Sequence, residues 1–425
     1  MGGPAHTGPA VGLLGYGPPV TAPPRLDTPG PATVPTRFWV WLGAMGLSLL
    51  GTQVLAFGMT WAAASLSGAL AGLVLTAVTL PRVLLLLVGG AVADRAGPFR
   101  VLLLGDGVMV AVTLGLALAL GAVGISPALL IGAGLAVGLV DAFYLPASGT
   151  MPRLLAPGAA LPRAMAARQL TGQLALFGGA PLGGLLVALA GLATAAFFDV
   201  ATFALMFLAL VLLRPRDGAA ACATEPAASL WRRSVDGVRV VAVDRTLRLS
   251  MLLVCAAAGL LLPVSSLLVP LLGRERGWSA GVTGLVVGAV ALTVVLRGAS
   301  ERPGVAGPAG LLLSAAAVAT LALPLPAPAA VGVGLGIGLG IGLFTAHIGP
   351  LILGRTPETH LARVQAVLVL AHSVPLLATV TVLGTAADVV GTPAVLVACG
   401  AALALAAGPA LTSRALTAPE LATTA

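Results

Sequence analysis

The chain has 425 residues, of which 58% are hydrophobic and 8% are charged. Soluble domains carry charge on roughly a quarter of their residues, because polar side chains must cover the surface. This composition excludes a water-soluble globule and indicates a protein surrounded by lipid. The formal charge of +8 does not indicate nucleic-acid binding, because the basic residues, all of them arginine, stand singly between apolar runs.

Twelve apolar runs, each close to the length of about 20 residues that a helix needs to cross a bilayer, predict twelve transmembrane helices. The fold class is therefore an all-α polytopic membrane protein. Residues 1–36, rich in Pro and Gly, are expected to form a disordered cytoplasmic tail, and residues 415–425 a second tail. The predicted spans are 37–62, 68–91, 99–121, 126–148, 164–189, 192–213, 249–272, 280–297, 307–325, 330–353, 363–385 and 392–413.

The arginines predict the orientation. With the N-terminus in the cytoplasm, nineteen arginines fall on the cytoplasmic side, Arg274 and Arg276 fall outside, and Arg82 lies within a span. Because cytoplasmic loops carry the excess of positive charge, this split predicts a multi-pass protein of the cytoplasmic (inner) cell membrane with both termini inside.

The longest connection, 214–248, is predicted to be a cytoplasmic linker between two six-helix bundles, 37–213 and 249–414. The two bundles are related in sequence at an offset of 200: Pro157, Leu161, Arg163, Ala166, Gly184 and Gly191 recur as Pro357, Leu361, Arg363, Ala366, Gly384 and Gly391. Parallel six-helix repeats around a site at the membrane midplane are typical of transporters.

The segment after the second span contains Gly90, Asp94, Arg95, Gly97 and Arg100. It resembles the signature of the major facilitator superfamily in this loop: a Gly, three residues, Asp-Arg, one residue, a second Gly and then basic residues. The glycines are expected to allow a tight turn and close helix approach. The resemblance implies the twelve-helix fold, alternating access, and an inner gate in which Asp94 lies at the N-terminus of the eleventh helix. A charged loop that only sets topology is the alternative.

Other stretches resemble the drug-efflux branch that contains macrolide exporters and the enterobactin exporter: 48–51, 143–147, 161–166 and 199–203. Span five is similar to the Gly-Pro motif of proton-driven exporters at Gly179, Pro181, Gly183 and Gly184, with the proline displaced by one position. The resemblance implies proton-coupled export of a hydrophobic or amphipathic small molecule, such as a drug, antibiotic or secondary metabolite. Ordinary close helix packing is the alternative for the Gly-Pro motif.

Ionisable groups within spans are candidate sites, because a charge at the centre of a membrane helix costs about 2.5 to 3.5 kcal/mol. Arg82 and Asp141 should both lie about 18 Å inside, at 1.5 Å per residue, so they could pair. We hypothesise that Asp141 carries the coupling proton and that Arg82 modulates it. A permanent ion pair, or a contact of Asp141 with Arg95 or Arg100, is the alternative.

Three other carboxylates are interpreted as structural or peripheral. Asp199 is expected to be a structural carboxylate bonded to Thr202, whereas Asp106 and Asp388, near span ends, are expected to be solvated.

In the superfamily, spans one, four, seven and ten line the cavity, so Gln53, Asp141 and His347 are candidate substrate-cavity residues. The chain has no lysine for a phosphate-binding loop and no Cys/His cluster, so we expect neither an enzyme nor a cofactor or metal, and a proton gradient as the energy source. The expected partners are a small-molecule substrate and the lipid bilayer, with no nucleic acid, and the protein is expected to be monomeric. An importer or symporter of the same fold, and a membrane-embedded enzyme acting on lipid-like substrates, are the alternatives.

Overall fold

A computed structural model describes residues 2–3, 33–213, 238–292, 303–356 and 360–413. Helix is the only regular secondary structure in these residues. In hydrocarbon no water can bond the backbone, and a helix pairs its N–H and C=O groups within its own segment. Most of the predicted N-terminal tail, the predicted tail at 415–425, and residues 214–237 of the predicted linker lie outside the described residues.

The first half of the chain begins with four long helices and a bent helical stretch. Leu161–Leu213 bends at Ala190 and Gly191, so we call its arms α5 (161–189) and α6 (192–213). They follow α1 (Thr36–Ala64), α2 (Gly68–Ala96), α3 (Pro98–Val123), α4 (Pro127–Leu155) and a 3-10 turn at Gly158–Ala160.

The second half also has six helices after a short helical segment at 238–243. They are α7 (Arg245–Glu275, with a π-turn at Val264–Leu268), α8 (Ala280–Leu292), α9 (Pro303–Leu321), α10 (Ala327–Arg355), α11 (Leu361–Val390) and α12 (Thr392–Thr412). Ten described stretches are long and apolar enough to cross a membrane, with α5 and α6 counted as one and the shorter α8 not included. Together these helices are the twelve predicted spans, which confirms the all-α polytopic fold.

The second half starts earlier than the predicted boundary at 249. Helix α7 begins at Arg245 because Asp244 precedes it and accepts a hydrogen bond from the Leu247 N–H at 2.9 Å. A carboxylate at this position satisfies one of the donors that a helix leaves free at its N-terminus.

The segment predicted as a loop after the second span is a helical corner. Residues 90–96 continue α2, Gly97 alone separates α2 from α3, and Pro98 begins α3. Gly97 has φ +86° and ψ +134°, a conformation that side chains disfavour, so the tight turn expected of this motif rests on one residue.

Because the helices alternate in direction, their ends lie on two faces of the bundle. The face that we call terminal carries Gly97, the connection 156–160, Thr356 after α10, His360 before α11, and the described ends near 36 and 412. The opposite face, which we call distal, carries the connections 65–67, 124–126, 190–191, 276–279, 322–326 and 391. Arg274 and Arg276, which the sequence separates from the other arginines, lie at the distal face.

The two halves repeat the same packing. Within each half the first helix contacts the fifth, the second the fourth and the third the sixth. Gly191 and Gly391, which the internal repeat pairs, both have positive φ (+79° and +83°) and both precede the sixth helix of their half. The halves meet through α2 with α11 and α5 with α8.

Substitution of the two motif glycines should change stability in opposite directions. Gly97→Ala places a side chain at a φ that L-residues avoid and should lower the free energy of unfolding by about 2 kcal/mol. Gly90→Ala lies inside α2 in open space and should raise it by about 0.5 to 1 kcal/mol. Thermal unfolding of the purified variants in detergent measures both, and equal stability of the two variants would contradict the corner.

Candidate functional site

The centre of the first half contains an ion pair. Arg82 lies midway along α2 and Asp141 midway along α4, and Arg82 Nη2 is 3.2 Å from Asp141 Oδ2. The side chains are 38% and 19% exposed, so the pair is only partly withdrawn from the surroundings. Asp141 is therefore paired with Arg82 in this structure, and not with Arg95 or Arg100, which are exposed at the terminal face.

Small residues bring the two helices close enough for this pair. A Cβ built on Gly138 of α4 would collide with the Val78 carbonyl of α2, and one on Gly89 of α2 would collide with the Ala142 carbonyl of α4. The close approach expected at Gly90 is therefore found at Gly89, since a Cβ on Gly90 meets nothing within 4 Å. Without side chains between them, the backbones pack tightly, as is common between membrane helices.

A second buried carboxylate faces α1. Asp199 of α6 is fully buried, and its Oδ1 lies 2.8 Å from the position of a Cβ on Gly51. The Thr202 hydroxyl donates to the main-chain carbonyl of Asp199 at 2.9 Å, so the expected bond to the carboxylate is wrong. Among the described residues neither carboxylate oxygen has a hydrogen-bond partner.

Asp106 is a correction to the sequence analysis. It was expected to be solvated, but it is fully buried in α3, beside the side chain of Tyr144 on α4. The Tyr144 ring also lies against Gly105, which precedes Asp106 in the sequence. The spacing of Asp141 and Tyr144, three residues apart on one helix, is the sequence signal that could have indicated this polar group.

These residues form a polar interior in the first half, with contributions from α2, α3, α4 and α6. A carboxylate beside an arginine can stay charged at this depth, whereas a carboxylate without a partner is far more costly to bury. The arrangement can therefore hold protons on some carboxyl groups and negative charge on another. Among the described residues there is no group of three or more His, Cys, Asp or Glu side chains that could bind a metal ion.

The Gly-Pro motif of α5 lies between two helices. Gly179 and Gly183 face α1, where Gly179 lies against Gln53, one of the candidate cavity residues. Pro181 and Gly184 face α8, in the other half of the chain. The motif therefore contacts its own half on one side and the second half on the other.

His347, whose role in a substrate cavity stays a prediction, lies in α10. It is 4% exposed on the side of α10 that packs against α9, with its Cβ 4.0 Å from the Cβ position of Gly307. Its Nδ1 is 2.7 Å from the Leu343 carbonyl of the same helix. The contact expected of Asp94 stays a prediction, because its side chain lies outside the described part of the structure.

Asp388 is exposed, as expected, and the structure also gives its carboxylate two hydrogen-bond partners. Its carboxylate, in the last turn of α11, accepts hydrogen bonds from the N–H groups of Gly68 and Ala69 at the start of α2. Sequence reasoning could not find this contact, because the partners are more than 300 residues away.

The family model "Major Facilitator Superfamily" matches residues 41–379, so the chain belongs to this superfamily. Similar solved structures include the nucleoside transporter NupG (14% identity, 88% of this chain and 99% of that chain covered, TM-score 0.67). The peptide transporter POT is similar as well (13% identity, 89% of this chain and 94% of that chain covered, TM-score 0.69). A third similar structure is a bacterial homologue of the human lysosomal transporter Spinster, solved in an inward-facing and unoccupied conformation (15% identity, 93% of this chain and 100% of that chain covered, TM-score 0.69).

No curated protein matches the chain. At these identities the solved structures establish the fold alone. The family and the fold make the chain a multi-pass membrane transporter and not an enzyme, which confirms the expectation from the sequence.

The Arg82–Asp141 pair should show energetic coupling. Arg82→Met or Asp141→Leu alone leaves one unpaired charge within the membrane. Each single variant should therefore lower the free energy of unfolding by more than half of the loss in the double variant. The coupling energy of the two residues should be about 1 to 3 kcal/mol. Thermal unfolding in detergent gives the double-mutant cycle. The matched control combines Arg95→Met with Asp141→Leu and should be additive, because Arg95 is exposed and distant. Additivity in the Arg82 cycle would contradict the pair.

Proposed function

We propose that this protein is a proton-coupled exporter of a hydrophobic or amphipathic small molecule, such as a drug, antibiotic or secondary metabolite, and that it works by alternating access. The observation that carries this proposal is the Arg82–Asp141 pair at the middle of the first half. Ionisable groups within a membrane are expensive, and in transporters they mark ion pathways and proton relays.

The coupling follows from the chemistry of the pair. Arg82 beside Asp141 favours the ionised carboxylate, and separation of the two favours the protonated form. A change of access that alters their separation therefore binds a proton on one side of the membrane and releases it on the other. Asp141 carries the proton and Arg82 modulates it.

Two features support export. The stretches 48–51 and 199–203, which resemble the drug-efflux branch, are brought together where Asp199 meets Gly51. The Gly-Pro motif, similar to that of proton-driven exporters, lies against α8 at the boundary between the halves. The substrate is hydrophobic or amphipathic, since the spans that surround any cavity are mostly apolar.

The orientation is part of the proposal. Arginines of the described helix ends gather at the terminal face, among them Arg37, Arg100, Arg245 and Arg363, so this face is cytoplasmic and the distal face is external. The protein then lies in the cytoplasmic membrane as a monomer, and the substrate and lipid are its partners.

The function is tested by export from cells and from reconstituted vesicles. Cells that make the chain should accumulate less of some members of a panel of amphipathic fluorescent compounds. Vesicles with an imposed pH gradient should move the same compounds uphill. Asp141→Asn keeps the size of the side chain but cannot titrate, so it should lose uphill transport at least about tenfold and retain downhill exchange.

Gln53→Ala provides the matched control, because it changes a candidate cavity residue that does not titrate and should leave the pH dependence unchanged. Full pH-driven export by Asp141→Asn would overturn the coupling role. Accumulation of the compounds inside the cells would instead favour the importer of the same fold.

Cysteine labelling tests the orientation. In a variant without the three native cysteines, Val238→Cys at the terminal face should react with an impermeant maleimide only after the cells are permeabilised. Leu66→Cys at the distal face should react in intact cells, since both positions are about half exposed. The reverse pattern would contradict a cytoplasmic terminal face.

A further inference from the structure

The turn between α1 and α2 on the distal face is held by two charged residues of the other half of the chain. Helix α1 ends at Ala64 and α2 begins at Gly68, so the hairpin exposes the carbonyl end of one helix beside the amide end of the next. Helix dipoles make the first end negative and the second positive.

At the amide end, Asp388 of α11 binds the first turn of α2. Its Oδ1 accepts from the Gly68 N–H at 2.6 Å and its Oδ2 from the Ala69 N–H at 2.8 Å. The next donor, the Leu70 N–H, is satisfied from within the first half by Ser67 Oγ at 3.0 Å. Two of the three side-chain bonds that cap this helix therefore come from the second half.

At the carbonyl end, Arg274 of α7 binds the last turn of α1. Its Nη2 donates to the Trp61 carbonyl at 3.0 Å, and its guanidinium carbon lies 4.0 Å from the centre of the Trp61 ring. A cation at this end matches the polarity of the helix, and its place over an aromatic ring adds a cation–π attraction.

The backbones below this turn are in direct contact. A Cβ on Gly68 or on Gly384 of α11 would collide with the other residue's carbonyl oxygen, and the hydroxyls of Thr76 and Thr381 are 2.7 Å apart. The two halves cannot separate on the distal face without breaking these contacts and the hydrogen bonds of Asp388 and Arg274 to the hairpin.

The neighbours of Arg274 use the same chemistry within one half. Arg276 donates to the Leu321 and Ala322 carbonyls at the end of α9, each at 3.0 Å, and Glu275 accepts from the Thr392 N–H at the start of α12 at 2.9 Å. Of the hydrogen bonds described here for these three consecutive residues, the bond from Arg274 is the one that crosses to the first half. Arg276 is therefore a matched comparison for it.

We propose that Asp388 and Arg274 form a clamp on the α1–α2 hairpin that closes the distal gate, and that this clamp is released when the distal face opens. The proposal rests on the alternating access of the proposed function, but it concerns a conformational equilibrium that can be measured without substrate. Each clamp residue sets how often the distal gate opens.

The test measures distances across the distal face by double electron–electron resonance. Spin labels are attached at Ile125 and Leu323, two exposed residues in distal connections of opposite halves. The labelled protein is the full chain without its native cysteines, in lipid nanodiscs. The unmodified chain should give one short distance. Asp388→Ala and Arg274→Gln should each raise the population with longer distances by roughly tenfold, the effect expected for the loss of a helix cap.

Two controls remove caps that stay within one half. Ser67→Ala removes the acceptor for the Leu70 N–H, which lies at the same end of α2 but belongs to the first half. Arg276→Gln removes the cap on α9. Both should leave the distance distribution unchanged. Asp388→Asn, which keeps the volume and one acceptor, should give an intermediate population, and it serves as the readout if Asp388→Ala lowers the yield of folded protein.

The clamp is overturned if Asp388→Asn and Arg274→Gln both give the distribution of the unmodified chain, or if the control variants open the distal face as far as the clamp variants do. Failure of the clamp with intact pH-driven export would leave the proposed function standing. Opening of the distal face in the clamp variants of a chain that exports none of the tested compounds would support the clamp and reject the proposed function.

Discussion

Hydrogen bonding of the backbone in lipid is the constraint on which the rest of this structure depends. A helix satisfies its own N–H and C=O groups except at its two ends, and there it needs outside partners. The chain has few charged residues, and several of them lie at helix ends. Asp244 caps its own helix, Glu275 and Arg276 cap other helices of their half, and Asp388 and Arg274 cap helices of the opposite half.

Helix α2 connects the three features on which function is proposed to depend. Its first turn at Gly68 is bound by Asp388, its middle carries Arg82 and the ion pair, and it ends at the Gly97 corner. A tilt of the whole of α2 would alter the distal contact, the ion pair and the corner together. Packing against α4 and α11 through small residues leaves α2 close to both halves.

The sequence by itself determined the class of protein and the position of its parts along the membrane. Apolar runs of the required length indicated twelve spans, the arginines indicated two faces, and the offset of 200 residues indicated two related halves. Depth was also readable, since counting residues along a helix placed Arg82 and Asp141 at the same level, where they do pair. Gly97 as a turn residue followed from its pattern with Asp94 and Arg95.

The tertiary structure alone decided which side of each helix a residue occupies and what it meets there. Asp106, inside α3, is buried beside Tyr144, whereas Asp388, in the last turn of α11, is exposed and caps α2. The Cβ of His347 lies near Gly307 of α9, and Thr202 bonds the backbone instead of the Asp199 carboxylate. The physical reason is that lipid is as apolar as the protein interior, so the side of a membrane helix that faces lipid and the side that faces protein carry similar residues. Sequence periodicity therefore gives depth but not direction, and direction is set by helix packing.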